Sequence, residues 1–225
     1  MTVVKTLAAY EIVQSVHPHP VTERDELGMA VGKAIDSALA RYSHAFRESR
    51  RPTATAMQRF AAETLEEELA DADLHLSPSD RDVQLLQVAG VLQAFRRSEV
   101  MGLLRPRSRL VLINGQVGFY AQPDYWNGRD RFYEMKSYRA PPISPAVGLQ
   151  LQLFQLAFPG LTAVLASFDR HSSPVATNLL EIPPLELEEK DRLLRLAFRI
   201  GAELGKEKVL EYIDNPVVRY SLAEL

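Results

Sequence analysis

The chain has 225 residues, 46 % hydrophobic and 24 % charged, with 26 Lys and Arg against 29 Asp and Glu for a net charge of −3. Such a composition suits one elaborated, soluble globular domain and argues against a protein that coats DNA indiscriminately. With no cysteine there are no disulfides, no thiolate zinc site and no iron–sulfur cluster; no apolar run is long enough to span a bilayer, and Glu11 and Gln14 interrupt any leader-like stretch, so a cytoplasmic protein is expected.

In chain order, residues 1–21 read as a lead-in loop, because His17-Pro18-His19-Pro20 cannot continue a helix; the two histidines there are exposed loop rather than metal ligands. Thr22 is a candidate N-cap with Asp25 and Glu26 in the first turn, and Leu27, Val31, Ile35, Ala38, Leu39 and Tyr42 recur at helical spacing to about Phe46. Pro52 breaks this helix and Thr53 caps a second, running to about Ala72 and bearing Glu63, Glu66, Glu67, Glu68 and Asp71 on a solvated face. Ser77-Pro78 opens a third, with Val83, Leu86, Val91, Leu92 and Phe95 as its apolar positions. Residues 22–104 are thus mainly helical.

After Pro106 the pattern turns to strands near 108–113, 116–123 and 131–137, with Asn114-Gly115 as a hairpin signal and a second turn over Tyr125–Asp130. Pro142 ends the third strand and Ser144 or Pro145 opens a helix that Pro159-Gly160 closes. A strand over 161–168, another near 175–182 and a helix from about 186 to 213 follow. The order is an α/β chain with an αβββαβ core, a mixed sheet in residues 105–182 and an additional N-terminal helical region.

The chemistry concentrates in that core. On an extended strand Glu134 and Lys136 project to one side while Met135 points away. The turn after Tyr125 folds Asp124 back beside Glu134. Two carboxylates so close repel unless a hard cation joins them, and Mg²⁺ or Mn²⁺ prefers oxygen ligands. The Lys136 ammonium is then placed to orient or polarise a water, or to balance charge on a phosphate. The plainer alternatives are a turn role for Asp124, a surface pair for Glu134 and Lys136, and helix polar positions for Gln150 and Gln152.

Pro123-Asp124 followed by Glu134-Met135-Lys136 resembles the signature of the PD-(D/E)XK nuclease superfamily, whose restriction-endonuclease-like core has the same element order. Gln150-Leu151-Gln152-Leu153-Phe154 is similar to the Gln-Leu-x-Leu-Tyr helix of RecB-type exonuclease domains, with Phe154 where Tyr is usual. Leu27–Asp36 is similar to the Gly-x-x-x-His-x-x-Leu helix that opens those domains, with Gly32 in place of the histidine ligand. The likeness covers roughly residues 22–170. It implies a metal-dependent DNA nuclease, an exonuclease on single-stranded or linear DNA, serving repair, recombination or defence.

The resemblance also implies roles. Asp124, Glu134 and the Met135 backbone carbonyl bind Mg²⁺ or Mn²⁺, Lys136 activates water and steadies the transition state, and Gln150 positions the Lys strand or a phosphate. Asp36, one turn after Gly32, acts on the ion through water. Tyr125, Trp126, Tyr138 and Arg139 are candidate nucleic-acid contacts, Trp126 being equally readable as a core anchor. Arg96, Arg97, Arg105, Arg107, Arg109, Arg129, Arg131 and Arg139 surround this region in sequence and suggest a local basic groove. The rival expectation is the same fold without catalysis, a module for DNA binding or assembly with other repair or defence proteins, which Gly32 favours. No membrane partner is expected.

Overall fold

Residues 3–16 form no lead-in loop. Strand β1 (Val3–Ala8) runs directly into helix α1 (Ala9–Val16) in the computed structural model, which describes residues 2–18, 23–48, 52–138 and 142–222. Thr22, Arg139 and His19 lie outside those residues. The strand arises from a distant partnership: Lys5–Ala8 pair in parallel with Val117–Tyr120, which no local pattern announces.

The three helices that follow are governed by their caps. Helix α2 is Glu23–Arg47, α3 is Ala54–Asp71 and α4 is Pro78–Arg97. Thr53 accepts a hydrogen bond from Ala56 N, and Ser77 accepts one from Asp80 N, each satisfying an otherwise orphaned donor of the first turn. The acidic face of α3 is more than a solvated surface. Arg41 on α2 pairs with Glu63 and Glu67, and Arg81 on α4 pairs with Glu66. Val83 and Leu86, expected in the core, are instead exposed on α4, which buries Val88, Val91, Leu92 and Phe95.

Strands β2 (Arg109–Ile113) and β3 (Val117–Ala121) form the expected hairpin. Asn114 and Gly115 both take positive φ, 52° and 68°, the pairing that a twist-matched two-residue turn needs. The chain then leaves this sheet, so the three expected strands are split between two mixed sheets. The second contains β4 (Tyr125–Trp126), β5 (Arg131–Lys136), β6 (Thr162–Asp169) and β7 (Ala176–Ile182) in that spatial order. Helix α5 (Pro145–Ala157), capped by Ser144, is the crossover between the parallel strands β5 and β6. Helix α6 (Leu187–Leu204) stops well short of residue 213. After Gly205, β8 (Lys206–Val209) pairs with β1 and β9 (Val217–Tyr220) pairs with β2, giving the first sheet the order β8-β1-β3-β2-β9.

Two cores result, with β5 and β6 between them. Phe132, Ala163 and Leu165 face a core shared with α1, α5, α6 and the first sheet. Tyr133, Met135, Val164, Ala166 and Phe168 face a second core made with α2, α3 and α4. Burial on both faces explains the almost unbroken apolar run of β6. Helix α6 lies so close to the first sheet that a Cβ on Gly201 would come within 2.4 Å of Val117 Cγ1 and 3.1 Å of Leu7 Cδ2. Gly201→Val is therefore expected to destabilise the fold by about 1–3 kcal/mol, as overpacking does. A urea-denaturation midpoint unchanged from wild type would contradict that close approach.

Candidate active site

A short hairpin places the first acid. Tyr125 pairs with Tyr133 and Trp126 with Phe132, and Asn127 closes the turn by accepting from Arg129 N, Asp130 N and Arg131 N at 3.0, 3.1 and 3.0 Å. The other edge of β4 is held by a bridge to Leu104: Trp126 N donates to Leu104 O at 2.8 Å, and Leu104 N to Trp126 O at 3.1 Å. Beyond the paired residues Asp124 sits opposite the end of β5, where its Oδ2 accepts from Met135 N at 2.8 Å. In extended backbone the N–H and C=O of one residue point to the same edge. The Met135 carbonyl therefore faces the same side as Asp124, whose other oxygen stays uncommitted by that bond.

Glu134 and Lys136 share a face of β5, as their spacing requires. Lys136 Nζ donates to Glu134 Oε1 at 2.6 Å. Glu134 is only 3 % exposed. Its carboxyl is pushed well above the usual carboxylate range by burial and then by the negative Asp124; the adjacent ammonium opposes both without prevailing. For Lys136, burial pulls the pKa down, but Glu134, Asp124 and Asp36 together outweigh it and the net direction is up.

The second wall comes from α2. A cavity of about 160 Å³ opens between α2 and the β4–β5 hairpin, lined by Asp36, Ser43, Arg105, Asp124, Tyr125 and Met135 among others. Asp36 keeps contact with solvent in this cavity, yet protein surrounds it at longer range. Burial first, and then Asp124, raise its pKa from 3.8 to about 7, against the pull of Lys136 and Arg105. Gly32 lies one turn earlier on the same helix, and a Cβ there would meet nothing within 4 Å. Arg105 follows the residue that bridges to β4, which fixes its backbone at the cavity rim. Of the arginines noted in the sequence, it alone lines this cavity among the described residues. Arg109 lies over the Phe158 ring at 4.3 Å and Arg131 pairs with Glu181; both serve packing and the surface rather than a basic groove at this cavity.

Gln150 is half-buried on α5. It lies one turn before Phe154, whose ring meets Phe132 of β5 edge-on at 6.3 Å, and Phe132 lies two residues before Glu134 on the same strand face. A crossover helix runs antiparallel to its strands, so Gln150 is level with the Glu134–Lys136 end of β5. Among the described residues it makes no hydrogen bond to either. Tyr125 lines the cavity, and burial raises its pKa despite a hydrogen bond from the direction of Ser43. Trp126 and Tyr138 are half-buried, Tyr138 against the α5 core.

Asp124, Glu134 and the Met135 carbonyl are hard oxygen donors, the kind that Mg²⁺ or Mn²⁺ takes. Among the described residues no three His, Asp or Glu side chains stand close enough to form a ligand cage. The donor set thus fits an ion that retains several waters, as Mg²⁺ does, and not a fully protein-enclosed metal. No helix among the described residues is long and apolar enough to cross a membrane.

No known family model and no curated protein matches the chain. Among solved structures it is similar to the "Putative exonuclease" from Eubacterium rectale, with a TM-score of 0.50 and 9 % identity, over 94 % of this chain and 86 % of that one. It also matches an alkaline exonuclease from Laribacter hongkongensis, with a TM-score of 0.36 and 16 % identity, over 66 % of this chain and 80 % of that one. The first of these likenesses is one of fold alone, that of a mixed α/β chain.

Proposed function

We propose that this chain is a metal-dependent deoxyribonuclease of the PD-(D/E)XK type, related to the RecB-like exonucleases, which hydrolyses phosphodiester bonds in single-stranded or linear DNA. The observation that carries this reading is the placement of Asp36 and Asp124, from α2 and the hairpin, at one cavity, with Asp124 bonded to the Met135 N–H beside the buried Glu134–Lys136 pair of β5. Burying the Glu134 carboxyl beside other negative charges costs stability, and a fold with no use for it would not be expected to keep it. The exonuclease name of the structure that shares this fold agrees with the reading.

A divalent cation held by Asp124, Glu134 and the Met135 carbonyl would supply Lewis-acid polarisation of the scissile phosphate. Asp124 is preset for its part by the Met135 N–H, which fixes one carboxylate oxygen and leaves the other for the ion. Lys136 stays an ammonium at neutral pH, since its pKa is raised. Its role in this reading is therefore to steady charge on the phosphate and orient water, rather than to take a proton. Arg105 at the rim supplies a guanidinium suited to a phosphate oxygen. Gln150 would position the Lys136 end of β5 or a phosphate, and Asp36 would act on the ion through water where the RecB-type helix has histidine.

The second reading, a nuclease fold used only for DNA binding or protein assembly, draws support from the lack of a tight three-side-chain ligand cluster among the described residues. Incubation of labelled single-stranded and linear duplex DNA with purified protein and Mn²⁺ separates the two. Degradation is expected, with Asp124→Ala and Lys136→Ala each lowering the rate by about 10²-fold or more while leaving the thermal melt cooperative. Wild type that binds DNA yet leaves it intact with Mg²⁺, Mn²⁺ and Ca²⁺ alike would establish the second reading instead.

Burial of Asp36, and next its proximity to Asp124, also sets a pH dependence. Asp36 has a folded-state pKa of about 7 against an ordinary 3.8, so the folded chain holds a proton that the unfolded chain has released. Its contribution to stability is full below about pH 4 and is lost as pH rises through 7. In EDTA, Asp36→Asn is expected to raise Tm at pH 8 by about 2–4 °C, corresponding to roughly 1 kcal/mol once solvent screening is allowed for. The gain should fade towards pH 4. A Tm difference that is constant across this range would remove Asp36 from the charged cluster.

A further inference from the structure

Gln150 and Gln152 stand two positions apart on α5, about 200° around the helix axis, and so serve opposite faces. Gln150 faces β5. Gln152 lines a separate open groove of about 680 Å³ between the end of α1, the first half of α5 and α6. Its floor is apolar, and its polar wall is Arg192, Arg195 and Arg199 on α6, with His17 at the end of α1. Among the described residues no acidic side chain lines it.

The three arginines follow an i, i+3, i+7 spacing that places them in one stripe. That stripe is about 10.5 Å long at 1.5 Å per residue. Arg195 is paired with Asp191 at 2.7 Å, whereas Arg192 and Arg199 have no ion pair among the described residues. Arg192 and Arg199 present exposed guanidiniums along an apolar floor in a chain whose net charge is −3. A low-dielectric floor strengthens their field. Guanidinium forks suit phosphate oxygens, and their planes together with an apolar floor suit unstacked bases.

We propose that this α1–α5–α6 groove is a second nucleic-acid contact, holding the backbone of single-stranded DNA that extends beyond the cavity. The inference rests on the nuclease reading for its substrate. The geometry that links the two is α5 itself: the groove lies along the helix's first half, the same half that brings Gln150 level with Glu134 and Lys136. Helix α5 thereby stands between the groove, which Gln152 lines, and the Glu134–Lys136 end of β5.

The test is fluorescence anisotropy of a labelled 20-nucleotide oligo(dT) in EDTA, so that cutting plays no part, with an Arg192→Ala/Arg199→Ala variant whose fold is checked by circular dichroism and thermal melting. Loss of two phosphate contacts should lower the slope of log Kobs against log salt by about 1.4, at 0.7 per contact on a single strand. Over a tenfold range of salt that slope accumulates to about 25-fold, the weakening expected near 0.1 M. An Arg192→Lys/Arg199→Lys variant, which keeps the charge, should retain most of the slope. A double-alanine variant with wild-type affinity and slope overturns the proposal. So does poly-glutamate that competes as well as oligo(dT) at equal charge, since the groove would then fit an acidic protein segment. Because no cleavage is measured, wild type that never cuts DNA but loses oligo(dT) with the arginines would sink the nuclease reading and leave this groove standing.

Discussion

Strand β5 lies between two hydrophobic cores, and that constraint decides the character of everything around it. A strand buried on both faces is normally apolar throughout, yet this one carries Glu134, the only charged side chain among the buried described residues. The carboxyl cannot be hydrated there and must find its compensation locally. It finds part in the Lys136 ammonium and loses part to Asp124 and Asp36. Asp124 and Asp36, the two carboxylates that act on it, line one narrow cavity.

The cavity is a joint between parts of different origin. Asp124 and Glu134 are set against each other by a hairpin that the second sheet holds, while Asp36 comes from α2 in the helical layer. Arg105 reaches the rim because Leu104 bridges to Trp126. Desolvation and like-charge proximity act together on Glu134 and Asp36, a combination that raises carboxyl pKa values.

Much of this was legible in the sequence because the relevant signals are local. Thr53, Ser77 and Ser144 are caps by chemistry, Asn114-Gly115 dictates a turn, and the alternation at Glu134-Met135-Lys136 fixes which side chains share a face. The terminal strands were not legible. Val3–Ala8 becomes a strand only through a parallel partner at Val117–Tyr120, and Lys206–Val209, a charged edge segment, shows no apolar alternation and reads as more helix. The division of β2–β3 and β5 between two sheets is likewise a tertiary matter. Val83 and Leu86 fit a helical apolar pattern but turn outward, because α4 meets its neighbours on the face of Val88, Val91 and Phe95. At the site, the acid-x-Lys pair and Asp124 came from spacing, whereas the selection of Arg105 from eight arginines needed the bridge at Leu104. The stripe on α6 lies in a helix that the nuclease-like signature does not reach.

The Asn127 side-chain oxygen that gathers three main-chain donors has a mechanical implication. It rivets the hairpin at its tip, so the spacing of Asp124 from Glu134 is inherited from a stiff turn and from β5, with no help from α2. The cavity is in effect a pincer with one fixed jaw and one hinged on helix packing. A shift of the helical layer would open or narrow it at Asp36 while leaving the opposing pair of acids in register.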